Sequence, residues 1–388
     1  MVAAVAVSAL VRLAVVAAVA ALALSGCTPA APTPSRTPTA TPTPTPTPTV
    51  DPIAGLTLEQ EVGQLFVVGT PATAVDADAL AAVRDRHAGG VFLRGRSTAP
   101  ASANLAVVQQ LQSVSADGIP LIVSTDQEGG QVQVLQGPGF DRIPSAVVQG
   151  GLDVGALRTQ ATQWGGQLRA AGVNLDLAPV ADIVPPGTGG QNPPIGGFQR
   201  QYGGDARTVA DHAAAFAGGL RDAGVQSTAK HFPGLGHVTA NTDTTAGVTD
   251  DTVGADSPDV DVYRDLAASG VDAVMVSSAI YRRIDGSQPA TFSPAVLDLL
   301  RDDIGFRGIV VTDDMSNAVQ VRSVAPGDRA VRAIDAGVDI VLISNVPGLI
   351  GPMADAVLAR ARSDAAFRAK VDAAARAVVT WKRRHLAS

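Results

Sequence analysis

Cysteine and aromatic residues are scarce in this chain of 388 residues. A single cysteine excludes an internal disulfide framework and any metal site built from several cysteines. Aromatic residues make up only 4% of the chain, which argues against a long stacking groove for single-stranded nucleic acid or polysaccharide. The formal net charge of −7 argues against a nucleic-acid partner, because phosphate contacts need a basic surface.

Apolar residues, in contrast, are plentiful. They form 46% of the chain, which excludes wholesale disorder and is enough for a large buried core. The length is consistent with one large domain or two medium-sized ones.

The N-terminal segment has the composition of a targeting signal. Residues 2–24 are almost all Ala, Val and Leu, and Arg12 precedes an apolar run of 12 residues. This pattern is typical of a secretory signal peptide, although the stretch is also long enough for a transmembrane helix. It ends in Leu24-Ser-Gly-Cys27, which resembles the lipobox of bacterial lipoproteins. The resemblance implies cleavage after residue 26 and a lipid on Cys27, which would anchor an extracytoplasmic protein to the cell membrane.

A proline-rich stretch follows this signal. Residues 28–50 contain eight prolines among Thr, Ala and Ser, a composition that favours an extended polyproline II stalk. We therefore expect residues 1–26 to be a lipoprotein signal peptide, residues 27–51 a Thr/Pro-rich linker, and residues 52–388 one folded domain.

In that domain, apolar runs of strand length alternate with helical stretches. Continuous apolar runs suit parallel strands buried on both faces, with the helices as crossovers. Eight such units predict an α/β fold, a (β/α)8 TIM-like barrel. The alternative is a doubly wound sheet, but the Gly-rich turn typical of its first strand is absent here. The predicted strands are residues 65–68, 90–93, 121–124, 173–178, 225–229, 273–276, 308–311 and 339–343.

Polar residues cluster at the ends of four of these strands. In a barrel, the C-terminal strand ends meet at one rim, where the active site forms. The clusters are residues 124–130, 192–200, 230–243 and 312–314. Any single Asp among them is equally well explained as the N-cap of the next helix, but four clusters on one rim favour a shared site.

The motifs of several other enzyme classes are missing. The chain has neither GxSxG nor HExxH, and His231 and His237 lack a third spaced ligand, so we expect no metal and no cofactor. What remains is carboxylate chemistry on a polar, uncharged substrate. Most glycoside hydrolases use a pair of carboxyl groups at facing positions, one acting on the anomeric carbon and the other protonating the leaving oxygen.

Three motifs carry a family resemblance. Lys230-His-Phe-Pro-Gly, Asp126-Gln-Glu-Gly-Gly130 and Val311-Thr-Asp-Asp-Met-Ser316 resemble glycoside hydrolase family 3, above all its single-domain β-N-acetylhexosaminidases of bacterial wall turnover. The likeness covers about residues 54–381. It implies a family 3 N-terminal-type barrel in residues 52–388 and a retaining exo-hydrolase with Asp313 as nucleophile. It also implies that the terminal sugar is held by Asp126, Arg200, Lys230 and His231.

The same residues leave alternatives open. Lys230 and His231 are also compatible with a buried salt-bridge pair that supports the loop. The family's Asp-x-His dyad on the mobile loop is Asn241-x-Asp243 here, so either Asp243 or His237 supplies the proton, or catalysis is weak. An Arg common in the family is replaced by Val134, which leaves the exact sugar open.

Two classes of function follow from these patterns. The first is a lipid-anchored monomer that removes N-acetyl-β-glucosamine from peptidoglycan-derived sugars, with no nucleic-acid partner. The second is a non-catalytic or weakly catalytic lipoprotein that binds wall sugars. Another exo-β-glycosidase, such as a β-glucosidase, is a further alternative, and phosphate in place of water as the acceptor stays open.

Overall fold

The computed structural model describes residues 51–115 and 118–386. The predicted signal peptide, Cys27 and the linker up to residue 50 lie outside these residues, so the hypotheses about them stay predictions. Within the described ranges, no helix has both the length and the apolar character needed to span a bilayer.

Eight parallel strands form the centre of the domain, which confirms the predicted barrel. They are paired in the order β7-β6-β5-β4-β3-β2-β1-β8, and a parallel bridge between Val311 and Ile340 joins β7 to the start of β8. Each predicted strand overlaps an observed one. The strands are β1 Phe66–Pro71, β2 Gly90–Arg94, β3 Ile122–Thr125, β4 Leu175–Asp176, β5 Gln226–Phe232, β6 Ala273–Val276, β7 Ile309–Thr312 and β8 Val341–Ile343.

Helices alternate with the strands and cover the outside of the barrel. Short additional pairs of strands lie in the loops, Gln127–Gly129 with Val132–Gln133 and Thr249–Asp250 with Ile280–Tyr281. The α-helices are α1 Leu58–Gly63, α2 Ala77–Arg86, α3 Ala101–Gln112, α4 Ala146–Gln149, α5 Val154–Ala170, α6 Ala206–Asp222, α7 Pro258–Ser269, α8 Arg282–Asp285, α9 Pro294–Asp298, α10 Pro326–Ala336, α11 Ile350–Ser363 and α12 Ala365–His385.

Side-chain caps set where several helices begin. The Thr57 hydroxyl accepts from the Gln60 amide and the Gln60 side chain accepts from the Thr57 amide, which together form a capping box. Four other helices begin after an aspartate whose carboxylate accepts from amides of the first turn. These caps are Asp76, Asp153, Asp205 and Asp364, none of which is a predicted site residue.

The core has an inner and an outer layer. Alternate strand residues such as Val67, Phe92 and Leu342 pack inside the barrel, while the other face of each strand packs against the helices. Val378 and Trp381 of α12 join the inner layer near the N-terminal ends of β6 and β7. This packing places α12 at the N-terminal end of the barrel, opposite the C-terminal rim.

Candidate active site

A polar pocket of about 360 Å³ opens at the C-terminal rim. Side chains from the ends of most barrel strands line it, as the barrel geometry predicts. Every residue predicted for catalysis or sugar binding lines this pocket except His237. These residues are Asp126, Arg200, Lys230, His231, Asn241, Asp243 and Asp313.

Lys230 and His231 both line the pocket although they are neighbours on one strand. In a regular strand, consecutive side chains point to opposite faces. Here β5 is irregular, because its pairing with β6 passes from Lys230 opposite Met275 to Phe232 opposite Val276 and skips His231. A bulge of this kind re-aims a side chain, and it brings both residues to the pocket.

A buried ion network lies beside the bulge. The Lys230 ammonium is 2.6 Å from Asp126 Oδ1 and 2.6 Å from Glu128 Oε1. Arg200 donates from Nε and Nη2 to the two oxygens of Glu128 at 2.8 and 2.7 Å. Its Nη1 donates to the Pro194 carbonyl at 2.9 Å. Glu128 therefore holds both cations, and this arrangement fixes the donors that face the pocket.

The network keeps its members ionised. Burial alone would raise the pKa of Glu128, but the charges of Arg200 and Lys230 outweigh burial and lower that pKa to about 2. Burial alone would lower the pKa of Lys230, and the carboxylates of Asp126 and Glu128 instead raise it. At neutral pH the pocket wall thus presents permanent charges with fixed directions.

We predict that Glu128→Gln destabilises the protein by about 3–5 kcal/mol, because it leaves the buried guanidinium of Arg200 without its carboxylate. Urea unfolding at pH 7 measures this loss, and activity should fall with it. The difference from wild type should shrink as pH falls from 4.5 toward 2, where Glu128 itself becomes protonated. Glu59→Gln, which breaks an exposed pair with Arg362, is the control and should cost far less. An equal loss in both variants would contradict the role given to Glu128.

His231 is oriented by a residue on the neighbouring strand's extension. Its Nδ1 lies 2.8 Å from Asp182 Oδ2, and the amides of His231 and Leu235 donate to Asp182 Oδ1 at 3.1 and 2.7 Å. Asp182 is fully buried. With Nδ1 turned to Asp182, Nε2 is the ring nitrogen left for other partners, and His231 lines the pocket.

Asp313 and Asp314 have different surroundings at the end of β7. The Asp314 carboxylate accepts four hydrogen bonds, from the amide and hydroxyl of Ser316 and from the amides of Asn317 and Ser344. Asp314 also lines the pocket, so strict alternation along the strand does not turn it away, but these four bonds commit its carboxylate to holding the loop. Asp313 lines the pocket, and its Oδ1 accepts from the Asp314 amide at 2.8 Å.

Asp243 reaches the same pocket from the loop after β5. The Asn241 side chain accepts from the Asp243 amide at 2.8 Å, so Asn241 shapes the turn that presents Asp243. The carbonyls of Thr242 and Asp243 accept from the amides of Gln320 and Val319 at 3.0 and 3.2 Å. These bonds attach the loop to the segment that follows β7.

The position of Asp243 alters its acidity. The residue keeps an exposed side, but burial of its carboxyl group at the pocket mouth, together with the charges of Asp313 and Asp314, raises its pKa to about 6. Solvent on the exposed side weakens the repulsion from these two carboxyl groups. A carboxyl group with a raised pKa that shares a pocket with a second carboxyl group is the arrangement of a proton donor beside a nucleophile.

Comparison with known proteins agrees with this geometry. The family model described as the glycosyl hydrolase family 3 N-terminal domain matches residues 57–380. The chain belongs to glycoside hydrolase family 3.

Named relatives and solved structures of family 3 extend the likeness. The β-hexosaminidase LpqI of Mycobacterium tuberculosis is 34% identical over 321 residues, which cover 78% of each chain. A β-hexosaminidase of Vibrio cholerae is 32% identical over 286 residues, covering 70% of this chain and 82% of that protein. The crystal structure of the β-N-acetylhexosaminidase of Beutenbergia cavernae superposes with a TM-score of 0.84 and 52% identity, covering 85% of this chain and 99% of that chain.

One candidate acid/base of this family 3 glycoside hydrolase is not at the pocket. His237 lies in a separate cavity of about 510 Å³, where its Nε2 is 3.2 Å from Asp259 Oδ1. That hydrogen bond raises the pKa of His237. Of the two groups that the sequence left open, Asp243 lines the pocket together with Asp313, whereas His237 lines the separate cavity.

Sequence reasoning missed two residues that build this family 3 site, Glu128 and Asp182. A signal for Glu128 was present, because in extended chain it shares a face with Asp126 two positions earlier. No local pattern marks Asp182, which follows β4 in an apolar stretch. In the described parts of the chain, no set of three or more His, Cys, Asp or Glu side chains is arranged to hold a metal ion.

Proposed function

We propose that this protein is a retaining exo-β-N-acetylglucosaminidase that removes terminal N-acetylglucosamine from peptidoglycan fragments. The observation that carries the proposal is the pairing of Asp313 and Asp243 in one pocket beside the fixed donors Lys230 and Arg200. The names of its β-hexosaminidase relatives support the choice of sugar. We also propose that the protein acts as a monomer.

In the first chemical step, an Asp313 oxygen attacks the anomeric carbon and the bond from that carbon to the glycosidic oxygen breaks. Asp243 gives its proton to the departing oxygen, so the aglycone leaves as a neutral alcohol. The sugar is then bound covalently to Asp313, and Asp243 is ionised.

In the second step, a water molecule attacks the anomeric carbon and the ester bond to Asp313 breaks. Asp243 takes the proton of that water and returns to its starting state. Two inversions at one carbon give overall retention of the β configuration. Phosphate in place of water would release the sugar 1-phosphate by the same route.

Hydrolysis of p-nitrophenyl N-acetyl-β-glucosaminide by the purified protein tests the proposal. We expect release of the β anomer, seen by NMR at early times, and faster turnover than with p-nitrophenyl β-glucoside.

Repeating the assay with phosphate shows which acceptor is used, and peptidoglycan fragments test the natural substrate. Preference for the glucoside would indicate a β-glucosidase. Binding of N-acetylglucosamine without turnover would indicate a sugar-binding protein.

We further propose that Cys27 is the lipidated N-terminus of the mature protein, which places the enzyme outside the cytoplasm on the cell membrane. The support is the small-residue box that precedes the single cysteine. Cys27→Ser should leave the precursor uncut or release the protein from membranes. Cell fractionation and mass spectrometry measure both effects, and a mature wild-type protein without acyl mass would contradict the proposal.

A further inference from the structure

Arg94 is a pocket residue to which the motifs assign no role. It is the last residue of β2 and lines the pocket at the rim. Phe92, two positions earlier, belongs to the inner layer of the barrel, so the alternation of strand side chains also turns Arg94 inward.

Arg94 stands beside Asp126 at the rim. β2 and β3 are parallel, and their pairing ends with Leu93 opposite Thr125. The next residues along the two strands are Arg94 and Asp126. Both line the same pocket, so neighbouring strand ends supply it with a cationic donor and an acidic acceptor.

The guanidinium of Arg94 is poorly satisfied within the described part of the protein. Its Nε is buried and has no hydrogen-bond partner there. Its Nη2 lies 3.8 Å from Asp76 Oδ2, which is beyond hydrogen-bond distance. Arg96, from the same loop, differs because its Nη1 and Nη2 donate to the carbonyls of Gly95 and Gln131, each at 2.8 Å. A buried N–H without an acceptor is costly, so the arrangement points to an acceptor on a bound molecule.

The hydrogen-bonding capacity of Arg94 and Asp126 indicates which groups of a ligand they bind. Asp126 gives one carboxylate oxygen to Lys230 and has a second oxygen with which to accept. Arginine only donates, whereas a hydroxyl both donates and accepts. A donor beside an acceptor therefore matches two neighbouring hydroxyls. In N-acetylglucosamine, carbon 2 carries the acetamido group, so the neighbouring ring hydroxyls are those on carbons 3 and 4.

We propose that Arg94 is a substrate-binding residue that donates to the 3- or 4-hydroxyl oxygen of the terminal sugar while Asp126 accepts from the other hydroxyl of that pair. This inference rests on the proposed function. Val134 occupies the position where the family often has an arginine, and as an apolar, buried residue of the same pocket it cannot donate a hydrogen bond to the sugar. In this inference Arg94 of β2 makes a polar contact with the sugar.

The test compares Arg94→Ala and Arg94→Gln with wild type on p-nitrophenyl N-acetyl-β-glucosaminide and on its 3-deoxy and 4-deoxy analogues. On the full substrate we expect kcat/KM to fall by about 10- to 100-fold, mostly through KM. On the deoxy analogue that lacks the contacted hydroxyl, the same substitution should lower kcat/KM by less than about threefold, because that substrate cannot make the hydrogen bond even with wild type. Arg84→Ala removes the same charge from an exposed side chain of α2 that does not line the pocket, and it should show no such dependence on the substrate.

Several outcomes would overturn the inference. An equal loss on all three substrates would make Arg94 a structural residue, and no loss on any of them would make it irrelevant to binding. If wild type does not turn over the substrate, the proposed function is wrong. Calorimetric titration with free N-acetylglucosamine then still tests whether Arg94 contacts the sugar. Weaker binding by Arg94→Gln would then uphold the contact without the reaction, and equal binding would refute it.

Discussion

Asp313→Asn is expected to lower kcat by about 10³- to 10⁶-fold, the range seen when an enzyme loses its nucleophile. The amide has no negative charge and does not form the ester with the anomeric carbon. Asp313 follows the buried strand β7, so packing holds it in place and the variant should keep its fold. Steady-state kinetics on the p-nitrophenyl substrate, with circular dichroism to check folding, measure the effect.

The neighbouring carboxylate supplies a matched control. Asp314→Asn makes the same change one residue later, at a side chain that caps the loop through Ser316, Asn317 and Ser344. We expect it to lower the free energy of unfolding by about 1–3 kcal/mol and to reduce kcat far less than Asp313→Asn does. A 2-fluoro sugar should label Asp313, and a label on any other residue would overturn the assignment of the nucleophile.

Asp243→Ala is expected to slow formation of the glycosyl-enzyme by about 10²- to 10⁴-fold for substrates with poor leaving groups and to spare that first step for substrates with activated aryl groups. An activated aryl oxide leaves without a proton, so it does not need the acid. The second step is then slow for every substrate, because Asp243 no longer activates the water. Azide should restore turnover of the activated substrates as the β-glycosyl azide, because a small anion replaces the water that Asp243 no longer activates. Chromatography and NMR of the products identify this species.

The pH profile offers a second measurement of the same role. Burial and the charges of Asp313 and Asp314 raise the pKa of Asp243 to about 6, so the group is protonated below that pH and loses its proton above it. For substrates with poor leaving groups, kcat/KM should therefore fall as pH rises through about 6, and this limb should vanish in Asp243→Ala. His237→Ala is the control and should retain the limb. If His237→Ala showed leaving-group dependence and azide rescue while Asp243→Ala resembled wild type, the proton would come from His237.

The barrel and most of its site could be predicted from the sequence, because they depend on local patterns. Eight continuous apolar runs separated by helical stretches leave few packings other than a closed parallel sheet. The same topology places every strand's C-terminal end on one rim, so polar residues such as Asp126, Lys230 and Asp313 had to meet there. Family resemblance then added their roles.

The remaining features depend on contacts between distant parts of the chain. The bulge that turns both Lys230 and His231 to the pocket arises from pairing with β6, which a rule of strict alternation does not anticipate. Glu128 joins Arg200, 72 residues away, and His237 is held by Asp259 in another cavity.

Sequence by itself thus determined the strands, the rim and the residues able to do the chemistry. Tertiary structure alone decided which of those residues share the pocket and with what acidity. The physical reason is that periodicity assigns a side chain to a face, whereas the partner it meets and the burial around it depend on how the loops of several strands pack against one another.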